Sequence, residues 1–166
     1  MEEQKHLEKY KCIIQAGYIV ISQEPSLLCS VCGSGVIVAV WDGKNKTGGL
    51  AHCLYPKPKW RERATNYHAS VALPLLLKKM KNISDIGEFK VHLFGGGNKE
   101  KSIEKRANKT IQEIKKILKK LNIPVVSEDT GGIFGRKIIF NTSSGEILIL
   151  KTEKIRKNDW TQENLN

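Results

Sequence analysis

The 166 residues carry 28 Lys and Arg against 17 Asp and Glu, a net charge of +11, with 40% hydrophobic and 27% charged residues. That balance excludes wholesale disorder and a coiled-coil rod, and no apolar run approaches the ~18 residues of a membrane span. It predicts one cytoplasmic domain over 1–166, with a core over about 12–153 and polar tails. The excess charge suits an acidic partner without choosing among nucleic acid, anionic lipid and protein. Free thiols are expected for Cys12, Cys29, Cys32 and Cys53.

Residues 1–10 are charged and predict a loose helix. The β-branched run 18–21 predicts a strand, followed by a turn over 22–26. Residues 36–41 are nearly continuous in apolar character, which points to a strand covered on both faces. Asp42-Gly43 turns the chain, and residues 50–54 resume as its hairpin partner. A helix is expected over 64–80 with Val71, Leu75 and Leu76 on one face and Pro74 kinking it or marking its first turn. Lys90 to Phe94 predicts a strand that runs into Gly95-Gly96-Gly97. From Ser102 a second helix carries Ile111, Ile114, Leu118 and Leu121 at spacings of three and four, coated with lysines. Pro124 stops it, Val125-Val126 begins a strand, and Asp129-Thr130-Gly131-Gly132 reads as a tight polar loop. Residues 137–140 and 146–150 pattern as a hairpin, and the chain after Thr152 as a frayed tail. Strands outnumber helices without strict alternation, so the expected class is α/β (α+β): a sandwich with a mixed or antiparallel sheet and two main helices.

Three features carry candidate chemistry. Cys29-x-x-Cys32 could hold zinc only with two further ligands. His52 and Cys53, the ones in reach, are adjacent on a strand and face opposite ways. No helix follows the pair as a thioredoxin-type motif needs, so buried thiols without metal or cofactor are the favoured reading. The triple glycine lacks the Lys-Ser/Thr of a phosphate loop, and turn geometry explains it equally well. His52 is brought by the hairpin beside the residues that open the 36–41 strand, where a base and a Cys or Ser nucleophile could meet. A lone strand histidine is more often structural.

The ordered motifs Gly33-Ser34-Gly35, Trp41-Asp42, Gly48-Gly49, Ala51-His52-Cys53-Leu54-Tyr55-Pro56, Ala72-Leu73-Pro74, Phe94-Gly95-Gly96-Gly97, Glu128-Asp129-Thr130-Gly131-Gly132 and Gly135-Arg136 together resemble the chemoreceptor glutamine deamidases of bacterial chemotaxis, the CheD family. The resemblance spans roughly Gly17 to Lys151. It implies a cysteine-hydrolase-like sandwich that hydrolyses receptor glutamine side chains to glutamate and ammonia. In it a Cys attacks, a His acts as base and a Thr orients the site. It also implies methyl-accepting chemotaxis receptors as partners and possible binding of a CheC-type phosphatase, with no nucleic acid and no membrane insertion. His52 matches the base, Gly35 occupies the nucleophile position and Cys29 the Thr position. A relocated thiol at Cys29 or Cys32 is then the route to hydrolysis. The alternative is a weak or inactive binding module on the same scaffold. A partner-binding face is expected at Phe94, Gly95, Gly96, Asp129, Thr130, Gly131 and Gly132. Two further departures are His68-Ala69-Ser70, where the family has a Tyr-x-Asp/Asn step, and Lys109-Thr110, where it has Arg-Asn.

Overall fold

Side chains alternate across a strand, and in β4 (Val36–Asp42) both resulting faces are apolar and buried. The strand therefore has to lie at the centre of a layered molecule. The computed structural model describes residues 11–83 and 88–160. The helix expected over 1–10 lies outside the described residues.

The other elements in chain order begin with β1 (Lys11–Ile14), β2 (Ile19–Ser22), β3 (Leu27–Cys32), β5 (Thr47–Cys53) and α1 (Ala69–Lys81). They continue with β6 (Phe89–Gly95), α2 (Lys101–Lys120), β7 (Val125–Thr130), β8 (Gly135–Asn141) and β9 (Ile147–Thr152), before a short 3-10 turn at Lys157–Trp160. A five-stranded sheet has the order β2-β5-β4-β6-β7 and a four-stranded sheet the order β1-β3-β8-β9. Each is mixed: β6 and β7 run parallel in the first, β1 and β3 in the second.

Val36, Val38 and Val40 point to one side of β4, where they pack with Leu73, Leu76 and Met80 of α1 and with Ile114 and Leu118 of α2. Ile37 and Ala39 point to the other side, where Leu50 and Phe94 join them against Leu28, Ile138 and Phe140 of the four-stranded sheet. The layers are thus helices, five-stranded sheet, four-stranded sheet. Each interface buries aliphatic surface worth about 25 cal/mol per Å².

The expected class holds, with local differences. Two sheets form where one was expected, because β1 and the Cys-bearing stretch of β3 are strands. Helix α1 starts at Ala69 rather than at 64. It buries Ala72, Leu73, Leu76, Leu77 and Met80, while Val71 and Leu75 are only half-buried. Pro74 sits inside it with its ring exposed, at the cost of the hydrogen bond its N–H would have made to the carbonyl four residues back. Strand β7 extends to Thr130, which pairs with Gly95, so the tight loop is reduced to Gly131-Gly132. Leu121 is exposed rather than part of the helix seam. The start of the tail is docked: Ile155 lies over Gly33 and Gly135, with its Cδ1 3.5 Å from where a Gly33 Cβ would stand.

Candidate active site

The hairpin of β4 and β5 sets Ile37 opposite His52, which turns the imidazole toward the four-stranded sheet together with Leu50. Gly35 lies two residues before Ile37 and so belongs to that same side. Its turn is stitched to the glycine corner, Gly96 N–H donating to Gly35 O (2.8 Å) and Gly97 N–H to Gly33 O (3.0 Å). The turn leading into β2 holds the other flank of His52, whose carbonyl accepts from Gly17 N–H at 2.9 Å.

The protonation of the ring follows from its neighbours. Ser30 Oγ lies 2.6 Å from the Ile14 carbonyl, which can only accept, so the serine proton is committed there. The same oxygen is 3.2 Å from His52 Nδ1 and must accept from it. Nδ1 therefore carries the proton and Nε2 is bare. Burial drives the ring's pKa down to about 4, with the Ile14 backbone partly opposing, so the imidazole is neutral at physiological pH. Its bare Nε2 points at Gly35: a Cβ added there would collide with Nε2, 3.0 Å from Cδ2 and 3.1 Å from Leu54 Cδ2. The imidazole rests directly on main chain.

All four cysteines are free. Cys32 faces the inter-sheet core, on the same side of β3 as Ser30, and burial pushes its thiol up to about 12 despite nearby Arg136. Cys29 is turned to the far side of β3, opposite Ser30. Burial raises its thiol to about 11, with Lys137 and Lys11 partly offsetting. Three residues apart on one strand, the two thiols face opposite ways and cannot share an ion. Cys53 faces the helix-side core, away from His52, and burial raises it to about 12. Ser34 is turned from the ring as well, its Oγ accepting from Arg106 Nη2 at 3.0 Å.

The hydroxyl on the histidine is that of Ser30, one residue beyond the position matched to the Thr. Sequence reasoning passed over it. Its signal was the alternation of Leu28, Ser30 and Cys32, visible only once 27–32 is taken as a strand. Arg106 carried no signal at all, since its contact with Ser34 spans 72 residues.

At the corner behind the turn, Phe94, Gly95 and Gly96 are buried supports, while Asp129, Thr130, Gly131 and Gly132 are partly or fully accessible. Asp129 pairs with the buried Arg136 at 2.9 Å and with Lys151 at 3.0 Å. Burial alone would raise its carboxyl, but hydrogen bonds and charge from both cations outweigh that and hold it below its ordinary value. Arg136 also donates to the carbonyls of Gly131 and Phe134, 2.9 Å each, which fixes the loop. Among the described residues no group of three or more His, Cys, Asp or Glu could hold a metal ion, and no helix is long and apolar enough to cross a membrane.

Residues 55–151 match the protein-family model described as CheD chemotactic sensory transduction, a span that opens just beyond His52. The chain is 34% identical over 156 residues to the probable chemoreceptor glutamine deamidase CheD of Clostridium acetobutylicum, covering 89% of this chain and 93% of that protein. It is 33% identical over 138 residues to the protein of that name from Clostridium novyi, covering 78% and 85%.

Proposed function

This chain belongs to the CheD family, and on that premise we propose that it is a chemoreceptor glutamine deamidase of chemotaxis, working in the cytoplasm as one domain with its core over about 12–153. The reaction is hydrolysis of a receptor glutamine side-chain amide: water adds its oxygen to the carbonyl carbon, the C–N bond breaks, and ammonia leaves. The observation that supports it is the proton arrangement at His52. Ile14 and Ser30 hold the proton on Nδ1, leaving Nε2 as a base aimed at the turn where the family places its nucleophile. Of the two candidate thiols, Cys32 lies on the Ser30 side of β3, so a thiol route in this chain runs from Cys32, with Cys29 reduced to packing. A buried thiol raised to about 12 is almost wholly protonated at neutral pH, which keeps such turnover slow.

Gly35 favours a second reading, a binding module that engages chemoreceptors or a CheC-type phosphatase with little turnover. Incubation with a receptor cytoplasmic fragment, followed by intact mass, separates the two. The deamidase reading expects a mass gain for each amide converted to acid, abolished by His52→Ala and by Cys32→Ala. Binding of the fragment without any gain selects the module, and neither binding nor gain removes both.

A further inference from the structure

The loop that joins β5 to α1 presents a tryptophan to solvent on a turn built to hold it there. Its base is closed beside the candidate site, Leu54 N–H and Tyr55 N–H both donating to Tyr67 O at 2.8 and 3.0 Å. Its tip is a turn over 59–62. Glu62 N–H bonds Lys59 O at 3.0 Å, and the Glu62 carboxylate accepts from Lys59 N–H at 2.7 Å. Arg61 takes a φ of 64°, a left-handed conformation uncommon for residues with a side chain. Glu62 reaches inward as well, 3.4 Å from the buried ring of His68. The tip's carboxylate is thus spent on the turn itself.

What faces outward is Trp60, 89% exposed, between Lys59 and Arg61. From 57 to 63 the chain has four cations against that one carboxylate. Among the described residues Arg61 and Arg63 have no carboxylate within ion-pair distance. Tyr55, at the base of the loop, lies against the Arg106 guanidinium, 5.1 Å from its ring centre. An exposed Trp next to Arg has the composition of an interface hot spot, and a preformed turn loses little freedom on binding.

We propose that this tip is a docking surface for an acidic segment of a partner protein, Trp60 seating between apolar side chains while Arg61 and Arg63 meet flanking carboxylates. A net charge of +11 repels cationic partners. One aromatic with two free guanidiniums fits a narrow peptide face better than a lipid plane, which calls for several coplanar anchors, or a polynucleotide, which calls for a cationic stripe. The inference rests on the receptor reading for the partner's identity. The loop that carries the tip leaves its sheet at Leu54, two residues from His52.

The full-length chain is titrated with a labelled amphipathic Glu/Leu helical peptide, its Gln-for-Glu counterpart, phosphatidylserine/phosphatidylcholine vesicles and a receptor cytoplasmic fragment. The variants are Trp60→Ala, the double Arg61→Ser/Arg63→Ser, and Lys109→Ser on the exposed face of α2 as a control for bulk charge; circular dichroism checks the fold. Docking at the tip predicts binding of the Glu peptide over the Gln peptide, weakened by salt. It also predicts a loss of at least about tenfold in either tip variant and little change in Lys109→Ser. Tip variants that bind as wild type does, or lose no more than Lys109→Ser, overturn it. So does a tip that takes vesicles and ignores the Glu peptide. A receptor fragment bound equally by wild type and tip variants overturns the docking while the receptor reading stands. Tip-dependent binding of the Glu peptide with no affinity for the fragment supports the docking and removes the receptor as its occupant.

Discussion

On one side of the Gly33–Ser34–Gly35 turn, Asp129 pairs with both Arg136 and Lys151, and the Nη atoms of Arg136 also donate to the Gly131 and Phe134 carbonyls, leaving its buried Nε without a partner among the described residues. On the other side His52 is held with equal care, by Ser30 and the strands around it, yet its free nitrogen meets no side chain at Gly35. The two regions share the turn, since Gly96 and Gly97 bond its carbonyls. Holding a turn in place and supplying the reacting atom are therefore separate properties. This chain retains the first, while at position 35 it lacks the second.

The comparison is broken most forcefully at Gly95. Its φ of 115° suits glycine, and an added Cβ would collide with the Gly35 carbonyl oxygen and sit 3.0 Å from Cys32 Sγ. Gly95→Ala should cost about 4 kcal/mol in urea unfolding and disorder both regions together. A loss near zero would mean that the corner does not brace the turn.

Asp129→Asn tests the corner alone. It leaves Arg136, 3% exposed, without its carboxylate, at a cost of about 3 kcal/mol. Because the Asp129 carboxyl is held below its ordinary value when folded, its contribution is complete above the usual carboxylate range and is lost as pH falls through the folded value. The wild-type acid slope should therefore flatten in the variant.

Ser30→Ala sharpens the other side with a smaller effect, about 1 kcal/mol for the lost hydrogen bonds. The readout is the His52 ring, whose pKa is about 4 against an ordinary 6.5. A ring buried neutral binds its proton more readily when unfolded, so wild-type stability declines as pH falls from 6.5 toward 4. The nitrogen shifts of the imidazole should show Nδ1–H in wild type and a tautomer mixture in the variant. Identical spectra would remove Ser30 from the site.

Periodic patterns made much of this legible in advance: the continuous apolar run of β4, the three-and-four spacing along α2, the β8–β9 hairpin. Strand β1 escaped because it is four residues long and follows directly on the charged stretch 1–10, and β3 because the thiols of Cys29 and Cys32 invite a reading as a motif rather than as positions on a pleat. His52 and the vacant position at Gly35 could be found from the order of residues. The hydroxyl of Ser30 could not, since its meaning depends on which face of an unrecognised strand it occupies. The contacts of Arg106 with Ser34 and of Ile155 with the Gly33 turn join distant parts of the chain and leave no local trace.

The central claim is that His52 is a base deprived of a thiol at position 35. Gly35→Cys tests it in the receptor-fragment mass assay, alongside the same variant carrying His52→Ala. The added Cβ obliges the ring to shift, at about 1–2 kcal/mol of stability. The variant should deamidate at least about 100-fold faster than wild type, with the gain lost when His52 is removed. Wild type turning over as fast as Gly35→Cys, or a gain that persists without His52, would contradict the claim.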